Sequence, residues 1–131
     1  MTKYLILYAA CAVVLLPLDF AWLATVGRTF YRSELGALLR DNPNLPVAAL
    51  FYLAYVAGLV VLVAAPAEGD VLKALWMGAV LGLVAYGTYD LTNLATLRGY
   101  SPTIAVVDMA WGTSVSAVSA AGGVWIARFF G

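Results

Sequence analysis

The sequence predicts an all-α membrane protein, an antiparallel four-transmembrane-helix bundle with a short amphipathic interfacial helix between the first two spans. Three observations carry this. Four stretches, about 4–26, 46–65, 71–97 and 102–130, are apolar over the roughly 20 residues a helix needs to cross the hydrocarbon core. Of the 131 residues, 64% are hydrophobic and 11% charged, and the mean hydropathy is +0.93, more apolar surface than one small interior can absorb. The turns Pro66–Asp70 and Arg98–Ser101 are short, so the helices they join must run antiparallel. The length allows a single integral membrane domain, 1–131.

The first span begins after Lys3 and continues past Pro17 to Val26. It carries Asp19 and lacks a small-x-small cleavage site, which predicts a retained helix rather than a cleaved signal. Pro17, inside the span, predicts a kink just before Asp19. The hydrophilic connection Gly27–Leu45 can place Phe30, Tyr31, Leu35, Leu38 and Leu39 on one side of a helix. Arg28, Arg32, Glu34 and Arg40 then fall off that side, the pattern of a helix lying at headgroup level. Pro46 and Pro102 open the second and fourth spans, and Pro66 closes the second. Arg28, Arg32, Arg40 and Arg98 share one membrane face, and Lys3, Lys73 and Arg128 the other, a balance that leans towards cytoplasmic loops and outward termini.

Composition excludes several chemistries. With no histidine the chain lacks the usual proton shuttle and the commonest zinc and haem ligand. Cys11, the single cysteine, permits neither an intrachain disulfide nor a thiolate cluster. Zero net charge offers no field for nucleic acid. Thr113, Ser114, Ser116 and Ser119 have no base in the pattern to activate them, so the sequence leans away from an enzyme.

What is left is a polar layer. From Leu72 to Ala85 the third span is almost wholly apolar, and then Tyr86, Tyr89, Asp90 and Asn93 arrive without interrupting the helix. An ionisable group inside a span is costly, so Asp90 needs a structural or functional reason. Asp19 lies about two turns before the end of the first helix, and Asp108 about two turns after the start of the fourth. Given the alternating directions, all three fall on the side of the Gly27–Leu45 connection, each on the order of 10 Å deep at 1.5 Å per residue. Tyr52 and Tyr55 reach the same stratum from the second helix.

Helical spacing aligns Gly78, Gly82, Tyr86, Asp90 and Asn93 along one stripe, and Asp108, Gly112, Val115, Ser119 and Gly122 along another. Such small-residue faces are where membrane helices approach closely, so the carboxylates should project into helix contacts. Asp19-Phe-Ala-Trp22 is echoed by Asp108-Met-Ala-Trp111, each tryptophan one turn beyond its aspartate. Trp22, Tyr4, Tyr31, Tyr100 and Trp125 are expected in the interfacial aromatic belt.

Asp19-x-x-Trp22, Phe51-Tyr-Leu-x-Tyr55, Tyr89-Asp-Leu-Thr-Asn-Leu-Ala-Thr96 and Asp108-x-x-Trp-Gly112 together resemble a family of small bacterial predicted membrane proteins, catalogued as a domain of unknown function. The resemblance spans essentially the whole chain. It implies a four-span protein of the bacterial cytoplasmic (inner) membrane and supplies no activity, substrate or cofactor.

Three aspartates in one low-dielectric layer cannot all be charged without compensation. Some carry protons, or Arg28 and Arg98 reach down to them, or a cation sits between Asp19, Asp90 and Asp108. All-oxygen ligation suits Mg²⁺, Ca²⁺ or Na⁺. The leading expectation is a proton- or cation-linked binding or transport site formed by Asp19, Asp90, Asn93, Asp108, Trp111, Tyr52, Tyr55 and Tyr86, in which aromatic faces also suit an organic cation. Transport through so small a bundle would call for a homodimer. The alternatives are a membrane enzyme or accessory protein acting on lipid headgroups, and a structural bundle subunit whose polar layer fixes register.

Overall fold

The computed structural model describes residues 1–36 and 44–130. Helix α1, Thr2–Trp22, passes through Pro17 without a break and continues as a wider π-helical coil over Leu23–Tyr31. A single turn, α2 (Arg32–Leu35), follows and stops at Gly36 with φ +52°. Helix α3, Leu45–Leu59, is extended in the same wide form over Val60–Ala64. Helices α4 (Val71–Thr96) and α5 (Pro102–Ala127) complete four segments long and apolar enough to span a bilayer. No strand occurs among the described residues.

The helix starts follow from local chemistry. The first backbone N–H groups of a helix have no intrahelical acceptor, and in an apolar medium each must be satisfied. Asn44 Oδ1 accepts from Val47 N at 3.2 Å, Asp70 Oδ1 from Lys73 N at 3.0 Å, and Ser101 Oγ from Ile104 N at 3.2 Å. Pro46 and Pro102 occupy first-turn positions, where a missing donor costs nothing. The α3–α4 turn is closed by Glu68 and Gly69, and the α4–α5 turn by Gly99, all with positive φ.

Spans that are apolar all round give no hydrophobic side to bury, so steric fit decides the packing. Helix α5 is the centre of the bundle, with α4 along one side and α1 along the other. A Cβ at Gly82 would collide with Gly112 O and the Ser116 side chain, and one at Gly112 would collide with the Tyr86 ring. Gly123 meets Cys11 of α1 in the same way. Gly122, on the same stripe of α5 as Gly112, faces Val14 of α1.

Helix α3 packs by its second half. Val56, Leu59, Val60, Val63 and Ala64 are buried with Leu7, Cys11, Leu15, Val115 and Val124. Its first half is exposed at Leu45, Val47, Leu50, Phe51 and Leu53, tied to α1 by Tyr8 Oη donating to Leu53 O at 2.9 Å. The apolar core thus lies towards the end carrying both termini. The other end is left for polar groups.

The connection after α1 differs from expectation. Among the described residues the connection is the wide coil that continues α1 and the single turn α2; Leu38, Leu39 and Arg40, part of the expected amphipathic pattern, lie outside them. Phe30, Tyr31 and Leu35 pack instead on Tyr100, Ile104 and Ala105. The apolar side that should have rested on lipid finds a protein surface at the start of α5.

Candidate functional site

Residues three apart on a helix share a face, so Asp19 and Trp22 point together from α1, and Asp108 and Trp111 from α5. Because the two helices pack side by side in opposite directions, each tryptophan comes level with the other helix's aspartate. The rings of Trp22 and Trp111 stack at 4.4 Å with planes 7° apart. Trp111 Nε1 donates to Asp19 Oδ1 at 2.9 Å. Trp22 Nε1 donates to Tyr31 Oη at 3.2 Å, and Tyr31 Oη donates to Asp108 Oδ1 at 2.7 Å. The repeated Asp-x-x-Trp therefore has a physical role: Trp111 serves Asp19 directly, and Trp22 serves Asp108 through Tyr31.

Asp19 and Asp108 line one cavity of about 450 Å³, with Trp22, Trp111 and the tyrosines 31, 52, 86, 89 and 100 around them. Tyr52 faces Asp19. Asp90 stands behind this wall, fully buried; Tyr100 Oη donates to its Oδ1 at 2.9 Å, and Oδ2 has no hydrogen-bond partner. Asp108 is its carboxyl neighbour, and Asn93 lies beside Tyr100. A second cavity, about 490 Å³, lies between α3 and α4 and shares Tyr52, Tyr86, Tyr89 and Asp108 with the first. Tyr55, on its wall, shares a 2.6 Å hydrogen bond with Ser116 and meets Tyr86 edge-on at 6.2 Å.

The hydrogen bonds named at Asp19, Asp90 and Asp108 come from neutral indole and phenol groups. Burial pushes the Tyr31 and Tyr100 phenols above their ordinary range, and their bonds to Asp108 and Asp90 push them further, so both remain protonated donors. Among the described residues Arg32 is the cation on the cavity wall, at its exposed margin, and the Arg28 side chain lies outside the description. Arg98, expected to reach towards the aspartates, is exposed and does not line the cavity.

Of the residues expected at the site, Asp19, Asp108, Trp111, Tyr52 and Tyr86 line the first cavity, and Tyr55 the second. Asp90 and Asn93 form the supporting layer. Asp19, Asp90 and Asp108 are not brought together as a ligand set: among the described residues no group of three acidic, histidine or cysteine side chains could hold a metal. Trp22, Tyr31 and Tyr100, expected in the aromatic belt, turn inward to the carboxylates. The Asp-x-x-Trp echo pointed to Trp22. Nothing local pointed to Tyr31, whose partner is 77 residues away, or to Tyr100, which reaches back across the Gly99 turn. Of the hydroxyls on α5, Thr113 and Ser114 donate to carbonyls one turn back, and buried Ser119 Oγ has no partner.

The fold and this site define a multi-pass helical membrane protein with a carboxylate- and aromatic-lined cavity towards one membrane face. Residues 4–125 match the family described as predicted membrane protein (DUF2177), a domain of unknown function, and the chain belongs to it. No curated protein and no solved structure matches the chain.

Proposed function

We propose that the protein is a binding or transport module for a small organic cation, with Asp19 and Asp108 supplying the negative charge and the tryptophan pair and tyrosines the cage. One observation carries the reading: two carboxylates share a cavity in which the hydrogen bonds identified at them come from neutral donors. Neutral donors fix a carboxylate's orientation but leave its charge in place, and a buried charge needs a counter-charge or a proton. An ammonium group supplies the former and gains from the aromatic faces as well. The cavity volume lies within the range typical of small-molecule sites.

A proton link would run through Asp90 and Asp108, two neighbouring carboxyls in a low-dielectric layer. In this reading the chain resides in the bacterial inner membrane with the cavity towards the cytoplasm, and transport involves a second copy.

The test is thermal unfolding of the detergent-solubilised protein with ethylammonium, tetramethylammonium, Na⁺, Mg²⁺ and Ca²⁺. Organic ammonium should raise the melting temperature, by an increment corresponding to about 2.7 kcal/mol at a hundredfold excess over Kd. Asp19→Asn and Asp108→Asn should abolish the rise. Equal responses in wild type and both variants would refute the reading.

A further inference from the structure

Resting on the cation-binding reading, we infer that the ligand is a membrane lipid with a zwitterionic aminophosphate headgroup, which enters the aspartate cavity sideways through the cleft between α3 and α4.

Two independent features point there. The first is that the two cavities lie side by side and share part of their walls. They share Tyr52, Tyr86, Tyr89 and Asp108, so the carboxylate at the polar site is also a wall of the cleft. The cleft is lined chiefly by Phe51, Tyr55, Ala85 and Thr88 in addition to those four. Phe51, Thr88 and Tyr89 are exposed, and in a spanning segment an exposed apolar or aromatic side chain faces acyl chains. The cleft lies beside the first half of α3, where Leu50, Phe51 and Leu53 are exposed while Tyr52 and Tyr55 turn towards the bundle. A water-soluble ligand has no use for an apolar side entrance at this depth. A lipid tail does.

The second feature is the order of charge. Asp19 and Asp108 lie below the surface, whereas Arg32 follows the wide coil at the exposed margin of the same cavity. An ammonium placed at the carboxylates therefore has a guanidinium nearer the surface to meet an anionic group on the same molecule, and arginine suits phosphate oxygens. Ethanolamine phospholipid carries this arrangement: a terminal ammonium, an adjoining phosphate and acyl chains that stay in the bilayer. The Glu34 carboxylate does not compete for the ammonium site, since it accepts from Ser101 Oγ at 3.0 Å and does not line the cavity.

Native mass spectrometry of the purified protein in a neutral detergent tests this, with melting temperatures recorded in parallel. The probes are phosphatidylethanolamine, phosphatidylglycerol, free O-phosphoethanolamine, dodecylamine and ethylammonium. Phosphatidylethanolamine should be retained at least about tenfold better than phosphatidylglycerol, the scale of one lost hydrogen bond to a charged group. Asp108→Asn and Arg32→Gln should each reduce retention by a similar factor. Ala85→Trp, at a residue that lines the cleft but not the carboxylate cavity, should block phosphatidylethanolamine but not ethylammonium.

Free O-phosphoethanolamine binding as well as the lipid, unaffected by Ala85→Trp, would overturn the lipid source. Dodecylamine binding as well as the lipid, with Arg32→Gln without effect, would overturn the phosphate contact. An aspartate-dependent ethylammonium response with no lipid preference would sink this inference and leave the cation site standing. Silence towards every ammonium probe would sink both.

Discussion

The same chemical change, glycine to alanine, should have opposite signs at Gly82 and Gly58. At Gly82 the new Cβ meets Gly112 O and the Ser116 side chain, the latter at 2.8 Å. A backbone carbonyl cannot turn aside as a side chain can, so α4 and α5 must separate. Separation loosens Tyr86 over Gly112 and strains the 2.6 Å bond between Tyr55 and Ser116. Overpacking of this kind costs about 1–3 kcal/mol. Alanine returns up to about 1 kcal/mol in helix propensity, which leaves Gly82→Ala destabilised by up to about 2 kcal/mol. At Gly58 nothing lies within 4 Å of the added Cβ, so only the propensity gain applies and Gly58→Ala should be stabilised by about 0.5–1 kcal/mol. Reversible unfolding in bicelles, with both variants measured beside wild type, gives the comparison. Equal effects of the same sign would mean that α4 and α5 do not meet at these glycines, and the placement of Tyr86 and Asp108 would fall with it.

The remaining predictions concern the polar layer. Trp111→Phe keeps a ring in the stack but removes the donor to Asp19; with Tyr52 still facing that carboxylate, the loss should be about 1–2 kcal/mol, and a loss indistinguishable from zero in the same assay would count against the bond. The Trp22–Trp111 stack should give a near-ultraviolet circular dichroism couplet that either Trp22→Phe or Trp111→Phe abolishes, whereas Trp76→Phe and Trp125→Phe leave it intact. Tyr100→Phe leaves the fully buried Asp90 with neither oxygen accepting from the phenol, so it should destabilise by about 1–3 kcal/mol, and the further change Asp90→Asn should recover part of that. The Tyr31 and Tyr100 phenols are raised above their ordinary value of 10.0 in the folded protein. Their contribution is therefore complete below about pH 10 and is lost as the unfolded phenols ionise above it; replacing both by phenylalanine should make the alkaline fall in stability shallower.

Much of the fold was legible because bilayer crossing depends on length and hydropathy, which are local. The starts of the second, third and fourth spans follow from Asn44, Asp70 and Ser101 and the prolines beside two of them, and each cap acts within three residues of its own position. That Asp19, Asp90 and Asp108 fall at one level of the bundle was legible too, since rise per residue sets their positions along helices that alternate in direction. Spacing along α4 likewise anticipated that Gly78, Gly82 and Tyr86 would lie on a helix contact, and the partner is α5.

What the sequence could not specify is rotation and partnership. Which donor each carboxylate receives depends on how α1, α4 and α5 turn about their axes, and that is settled by steric fit at Gly82, Gly112 and Gly123 rather than by any amphipathic pattern. Trp22, Tyr31 and Tyr100 have the composition of belt aromatics, and only the packed bundle turns them inward to Asp108 and Asp90. The stretch from Phe30 to Leu35 carries an amphipathic signal that is equally satisfied by lipid or by protein; the neighbouring surface of Tyr100, Ile104 and Ala105 decided for protein. Hydropathy alone thus determined a four-span chain with a polar layer, because transfer from water to lipid is a property of each segment. The Trp111–Asp19 bond, the Trp22–Tyr31–Asp108 relay and the cavity they wall were decided by tertiary structure, because they depend on antiparallel helices meeting at glycines far apart in the chain.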